Sequence, residues 1–309
     1  MKKNKLLLGY VMVILSAVIF GLMPLMTRVI RGDGANSMTI VLLRNLLSLP
    51  VLAILAYAQS KTLKIPVKAL PSMAGAALMG CCLTPIFLYI SYEYLSANDS
   101  VATVFHFIYP AVVVLGGWIF LKEKINKGVL LSLLVCIVGI CLFYDPSKPL
   151  NMTGAILALV SGVTYAIYVL FLSVFKYKQV NGFLFSFYIA TICSVVLLTV
   201  CLVMGAVFPK GTMLGDLFAL QLPKSGVGWS MSVFFSLVLN VGAVVLFQKG
   251  TFLIGGQRSS ILSTMEPLTS VVLVIFSAGI ENIGIGTWIG SVLVIASTVL
   301  IAVFDAKKK

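Results

Sequence analysis

The sequence predicts an all-α integral membrane protein with ten transmembrane helices. The first observation behind this fold class is composition: 60% of the 309 residues are hydrophobic and only 10% are charged, whereas soluble domains carry roughly 25% charged residues. The second is arrangement, because the apolar residues form long runs separated by short polar breaks. A helix that crosses the hydrocarbon layer takes roughly 20 residues, so ten crossings leave room only for short connections.

The apolar runs define the predicted spans in chain order. The run after the N-terminal lysines continues beyond any plausible cleavage point of a signal peptide, so we interpret it as the first span. The longest polar break, residues 208–225, contains a Leu/Phe patch and is predicted to hold a short interfacial helix. The predicted spans are residues 7–28, 37–58, 69–92, 98–121, 127–144, 152–174, 183–207, 226–248, 256–279 and 285–305.

Lysine and arginine are distributed unevenly among the predicted connections, and cytoplasmic connections are typically the ones enriched in them. Alternate connections carry most of the basic residues, at 2–5, 61–68, 122–127, 176–178, 249–258 and 307–309. This bias predicts that both termini are cytoplasmic, which requires an even number of spans. We expect a multi-pass protein of a bacterial cell (plasma) membrane.

Charge and cysteine patterns argue against several other classes of protein. The formal charge of +13 is divided among clusters between apolar runs, which is not the continuous basic face of a nucleic-acid-binding protein. The six cysteines lie inside apolar runs and are interpreted as small core residues. We see no grouping of acids, histidines or nucleophiles typical of an enzyme. No catalytic residue, metal or other cofactor is therefore predicted.

The two halves of the chain share a pattern. A proline follows Tyr109 in one half and Glu266 in the other, and each half continues into a connection with glutamate and glycine, residues 122–128 and 280–286. The first connection contains three lysines and the second none. Five spans per copy would invert the second copy and move its connection to the opposite side of the membrane. We predict inverted five-helix repeats at residues 1–147 and 148–309, with chance similarity as the alternative.

These features resemble the EamA family of the drug/metabolite transporter superfamily. The resembling stretches are residues 9–24, Arg44, residues 109–128 and residues 265–286, although Ile280 stands where the family commonly has glycine. The resemblance implies a central cavity that opens alternately to each side of the membrane. It also implies an exporter of small organic metabolites, namely amino acids, nucleobases, amines or drug-like compounds, with proton coupling left open. A lipid-carrier flippase-like or scaffold subunit is the alternative.

Three ionisable residues stand out because they lie well inside predicted spans, where charge is costly and usually functional. Glu266 is predicted to bind a substrate ammonium or a proton, or else to be the fixed partner of an arginine or of exposed helix ends. For Arg44 we favour an ion pair or carbonyl clamp between helices over capture of a substrate carboxylate. For His106 we favour a hydrogen-bonded core position over proton coupling or stacking on substrate.

Neutral residues provide further candidates. Tyr165 and Tyr168 are three residues apart and share a helix face, so with Asn240 they can line a cavity, although for the tyrosines we favour aromatic packing. Gly286 and Gly290 permit close helix contact, either within the monomer, which we favour, or at the seam of a homodimer. The expected partners are a small-molecule substrate, the lipid bilayer and, where transport is coupled, protons, with no nucleic acid.

Overall fold

The computed structural model describes residues 2–95, 99–144, 150–177, 179–209, 211–278 and 284–307. Within these ranges the secondary structure is helical and contains no strand. Ten helical segments, numbered 1 to 10 in chain order, make up this part of the protein, together with one short extra helix. Eight of the segments are long and apolar enough to cross a membrane, and segment 5 is a shorter apolar helix.

Segments 1 to 5 form the first half, and all except segment 5 are interrupted. Their helices are Lys2–Phe20 and Met23–Gly32 in segment 1, Ser37–Leu46 and Leu49–Ser60 in segment 2, Val67–Ala69, Leu70–Ala76, Ala77–Leu83 and Thr84–Leu95 in segment 3, Asp99–His106 and Tyr109–Leu121 in segment 4, and Lys127–Cys141 in segment 5.

Segments 6 to 10 form the second half, in which segments 8 and 9 are interrupted. Their helices are Met152–Val174 in segment 6, Gly182–Val207 in segment 7, Gly226–Ser236, Leu237–Val244 and Val245–Ile254 in segment 8, Gly256–Leu262, Ser263–Met265 and Glu266–Ala278 in segment 9, and Ile285–Lys307 in segment 10. The short extra helix, Met213–Phe218, lies in the connection predicted to contain one.

The ends of the segments agree with the predicted spans to within a few residues, with one larger difference. Segment 8 was predicted to end at residue 248, but its last helix continues to Ile254 and stops at Gly255, whose φ of +81° favours glycine. Lys249 therefore lies on a helix and not in a connection. Its ammonium is 3.8 Å from the centroid of the Phe183 ring, a cation–π contact that compensates for the partial loss of water.

Polar residues in the breaks determine where several helices begin. An asparagine or serine side chain accepts a hydrogen bond from the backbone N–H three residues further on, which satisfies one of the four unpaired donors of the first turn. These N-caps are Asn36, Asn126, Asn151, Asn181 and Ser225. The polar breaks in the sequence therefore act as start signals for segments 2, 5, 6, 7 and 8.

Interruptions occur at related positions in the two halves. Segments 3 and 8 each contain a π-helix, Ala77–Leu83 and Leu237–Val244. A π-helix leaves carbonyls without their usual α-helical partners, and hydroxyl side chains bind two of them. Thr84 Oγ1 donates to Met79 O at 2.7 Å, and Ser16 Oγ donates to Ala243 O at 2.7 Å. These bonds keep backbone groups paired where lipid offers no partner.

The packing of the segments follows a regular scheme. Segment 5 packs on segment 10 and segment 2 on segment 7, while segment 3 packs on segment 6 and segment 8 on segment 1. Segment 6 also contacts segment 4, and segment 1 also contacts segment 9. The contact of segment 3 with segment 6 therefore corresponds to that of segment 8 with segment 1, and the contact of 4 with 6 to that of 9 with 1. The pairs 5 with 10 and 2 with 7 join segments that are themselves five places apart.

Glycines let segments 5 and 10 approach closely. A Cβ atom on Gly290 would lie 2.5 Å from Gly139 O, and one on Gly286 would lie 2.8 Å from Leu142 O. Both distances are shorter than side chains tolerate, so these positions require glycine. Gly286 and Gly290 are thus used in contacts within the chain, as favoured from the sequence.

Candidate functional site

Aromatic rings from segments 4, 6 and 8 meet in the interior of the bundle. The Tyr109 and Tyr165 rings are T-shaped with centroids 4.8 Å apart, and Tyr165 and Tyr168 are 5.5 Å apart. Phe247 stacks near both segment 6 tyrosines, at 6.1 Å from Tyr165 and 6.3 Å from Tyr168. His106 completes this group, which we call the aromatic cluster, with its ring 5.7 Å from Tyr165.

Tyr168 is held by contacts with segments 3 and 8, and its partner in segment 8 is bound in turn by segment 7. A Cβ atom on Gly80, in the π-helix of segment 3, would lie 2.3 Å from Tyr168 Cγ, so the glycine makes space for the ring. The phenolic oxygen accepts a hydrogen bond from Gln248 Nε2 at 3.1 Å, and Gln248 Oε1 accepts one from the Ser186 hydroxyl. The ring is therefore fixed on the face of segment 6 that also carries Tyr165.

His106 has a defined hydrogen-bond partner. Its Nδ1 lies 2.8 Å from Ser161 Oγ, and the same hydroxyl donates to Ala158 O at 2.7 Å. The direction of the bond between His106 and Ser161 depends on which ring nitrogen of the histidine carries the proton. The histidine is thus both hydrogen-bonded and in contact with the aromatic cluster.

Glu266 lies where two interrupted segments touch. It is the first residue of the helix Glu266–Ala278, directly after the 3-10 turn Ser263–Met265 of segment 9. A Cβ atom on Gly21, in the break of segment 1, would lie 2.7 Å from Glu266 O. The Glu266 carboxyl is close enough to Tyr109 and Tyr165 to act on both electrostatically. It therefore borders the aromatic cluster.

Asn240 is placed differently from the cavity-lining position considered from the sequence. It lies in the π-helix of segment 8 with 4% of its surface exposed. Its Nδ2 donates to Arg44 O at 3.0 Å and to Asn45 Oδ1 at 3.1 Å, and Ser236 Oγ donates to Arg44 O at 2.6 Å. The amide thus joins segment 8 to the end of the first helix of segment 2.

The Arg44 side chain points into the interior, and within the described residues it forms no ion pair with a carboxylate. Its Nε atom is buried and has no hydrogen-bond partner among the described residues. The guanidinium is close enough to Cys81, Tyr89 and Tyr168 to act on them electrostatically. Tyr168 is therefore near Arg44, while its neighbour Tyr165 is near Glu266.

Several residues of this region were not predicted from the sequence to belong to a site. Tyr109, Phe247, Gln248 and Ser161 all contribute to the cluster or orient its members. Gln248 was detectable from the sequence, because an amide inside an apolar run needs a buried partner. It was placed at the predicted end of the eighth span, where an amide can reach water.

The cysteines are free, and all are buried except Cys141, which is exposed contrary to its predicted core position.

The first half of the chain matches a known family. Residues 7–144 match the model of the EamA-like transporter family. The relatives include the uncharacterized inner membrane transporter YicL of Salmonella typhimurium, 25% identical over 69% of this chain and 67% of its own length. An uncharacterized transporter of Archaeoglobus fulgidus is 26% identical over 94% of this chain and 95% of its own, and YwfM of Bacillus subtilis is 24% identical over 81% and 79%.

The fold also has a counterpart among solved structures. One crystal structure superimposes with a TM-score of 0.72 over 99% of both chains at 14% sequence identity. At this identity the likeness is evidence of the shared fold alone. Together with the family match and the named relatives, the apolar helices lead to one conclusion: the chain is a multi-pass membrane transporter whose residues 7–144 match the EamA-like transporter family.

Proposed function

We propose that this protein is a secondary transporter that exports small organic metabolites by alternating access. The observation that carries the proposal is the aromatic cluster, which lies inside a membrane bundle with Glu266 near one side and Arg44 near the other. Aromatic faces and a carboxyl group suit amino acids, nucleobases, organic amines and drug-like compounds, since cations and flat rings bind such surfaces.

The arrangement of the segments supports alternating access. The π-helices of segments 3 and 8 are five segments apart, as are the interruptions at residues 107–108 in segment 4 and 263–265 in segment 9. The contacts between segments follow the same five-place rule. These regularities favour the inverted repeats at residues 1–147 and 148–309, with segments 5 and 9 completing ten crossings. Two such copies can exchange conformations and open a shared cavity to either side.

Glu266 is the proposed coupling group. A carboxyl group with little water around it exchanges a proton for a cationic solute more readily than it carries an unpaired charge. Its position where the breaks of segments 1 and 9 touch supports an exchange that is linked to a movement of these segments. His106, which lies in the same cluster, is the second candidate for proton transfer. The basic residues favour cytoplasmic termini in a bacterial cell membrane.

Counterflow in proteoliposomes tests this function. Radiolabelled amino acids, nucleobases and organic amines are exchanged with a pH gradient imposed or removed. We expect one of these classes to exchange and its rate to respond to the gradient. Glu266→Gln is expected to remove the response to pH, whereas Asp216→Asn, a matched change in an exposed acid, leaves it intact. Failure of every class to exchange contradicts the proposed function, and an unchanged response in Glu266→Gln contradicts the role of Glu266.

A further inference from the structure

The backbone at Arg44 is fixed by segment 8. Its carbonyl oxygen accepts hydrogen bonds from Ser236 Oγ at 2.6 Å and from Asn240 Nδ2 at 3.0 Å. The helix that carries Arg44 ends at Leu46, and a new helix begins at Leu49. The backbone of Arg44, from which the side chain extends, is therefore positioned by contacts that do not involve the guanidinium. The guanidinium remains available for another partner.

Among the residues that the structure describes, no carboxylate forms an ion pair with that guanidinium. The described groups on which Arg44 acts electrostatically are the thiols of Cys81 and Cys193 and the phenols of Tyr89 and Tyr168, which are neutral near pH 7. The buried Nε lacks a hydrogen-bond partner in the described part of the chain. An unpaired charge inside a membrane protein is strongly unfavourable. Within the described residues the guanidinium therefore lacks a counter-ion, which a bound anionic solute can supply.

The neighbouring groups restrict the kind of anion. The rings of Tyr168 and Tyr165 are 5.5 Å apart, and they connect the surroundings of Arg44 to those of Glu266. One cation and one acid cannot balance a phosphate ester, which carries about two negative charges. Arg44 and Glu266 together can neutralise a solute with a single carboxylate, above all one that also has an ammonium group. A guanidinium binds a carboxylate through two parallel N–H bonds.

We infer that Arg44 is a specificity-determining residue that binds the carboxylate of the transported solute, with Tyr168 beside it and the rest of the solute directed along the aromatic cluster towards Glu266. This inference rests on the proposed transport function and narrows its substrate class. Organic amines and nucleobases without a carboxylate are then poor substrates.

Pairs of solutes that differ only in the carboxylate provide the test. In counterflow with proteoliposomes, L-phenylalanine is compared with 2-phenylethylamine and L-leucine with isopentylamine, and glucose 6-phosphate serves as the phosphate probe. We expect the wild-type protein to exchange the acid of at least one pair about tenfold faster than its amine. Arg44→Gln is expected to lose that preference. Arg28→Gln, which removes an exposed arginine, keeps it.

Arg44→Lys separates a lost carboxylate contact from a damaged fold. A lysine keeps the charge but offers a single point of attachment, so we expect a raised KM for the acid with a similar maximal rate. Faster exchange of the amines or of glucose 6-phosphate by the wild-type protein overturns the inference, and so does an unchanged preference in both Arg44 variants. In these cases transport itself is still observed. Absence of exchange for every solute contradicts the proposed function instead.

Discussion

Polar side chains inside the segments mostly bind backbone carbonyls. Ser16 binds the carbonyl of Ala243, Thr84 that of Met79, and Asn240 that of Arg44. In each case the acceptor lies in or beside an interruption of a helix. Each bond gives the carbonyl a polar partner where the α-helical pattern is broken, because an unsatisfied carbonyl in an apolar environment costs several kcal/mol. The sequence identifies such residues as unusual in an apolar run, but it does not identify their acceptors.

Asp33 provides a prediction at the scale of one residue. Its Oδ2 accepts a hydrogen bond from Ser225 N at 2.9 Å, and its carbonyl accepts one from Lys224 N at 3.2 Å. The side chain and the backbone of Ser225 lower the pKa of Asp33 below its usual 3.8, with a smaller contribution from Lys224. A lowered pKa in the folded state means that the ionised form stabilises the fold. This stability is present above pH 3.8 and is lost as the pH falls through the folded-state pKa.

We therefore expect Asp33→Asn to unfold at a lower temperature than the wild-type protein at pH 7, and the difference to shrink below pH 4. Thermal unfolding in detergent, followed by tryptophan fluorescence across this pH range, measures both quantities. A difference that stays constant down to pH 3 contradicts the assignment.

At the scale of helices, glycine determines how closely segments pack. Segments 5 and 10 touch through Gly139 and Gly290, where the backbone of one segment occupies the space of a missing side chain on the other. Close contact of this kind replaces the hydrophobic driving force that is absent between helices in lipid. The sequence predicted that Gly290 permits a close helix contact, and the structure identifies Gly139 as the residue that it contacts.

Gly290→Ala tests this packing. The added Cβ would meet Gly139 O at 2.5 Å, and a backbone atom cannot rotate away. We expect the free energy of unfolding to fall by about 1–3 kcal/mol, as for other overpacked interiors. Gly226→Ala is the matched control, since a Cβ atom there meets nothing within 4 Å. Equal unfolding temperatures for the two variants in detergent would show that segments 5 and 10 are not tightly packed.

At the scale of the whole molecule, the fold is a bundle in which the segments of one half pack on those of the other. Inversion of one half relative to the other would place the connection after segment 4 and the connection after segment 9 on opposite sides. The first contains Lys122, Lys124 and Lys127 and the second contains no lysine between residues 279 and 284. The second connection lies largely outside the described residues, so its side of the membrane is a prediction from sequence.

Single cysteines at Lys124 and Asn282 test the inversion. In a variant without the native cysteines, we expect Lys124→Cys to react with a membrane-impermeant maleimide only from the cytoplasmic side. Asn282→Cys is expected to react only from the outside. Intact cells and inside-out vesicles provide the two orientations. Reaction of both cysteines from the same side would contradict the inverted repeat and the ten crossings together.

The sequence by itself determined the segments of this protein and their order. A bilayer imposes a length on each apolar run, and Asn or Ser at the polar breaks starts helices by capping them, so both signals are local. The tertiary structure decided which faces meet. Lipid and protein interior are both apolar, so hydropathy does not distinguish a lipid-facing side chain from a buried one. Only the packed structure therefore placed Asn240 on the Arg44 carbonyl and brought Tyr109, Tyr165 and Phe247 together.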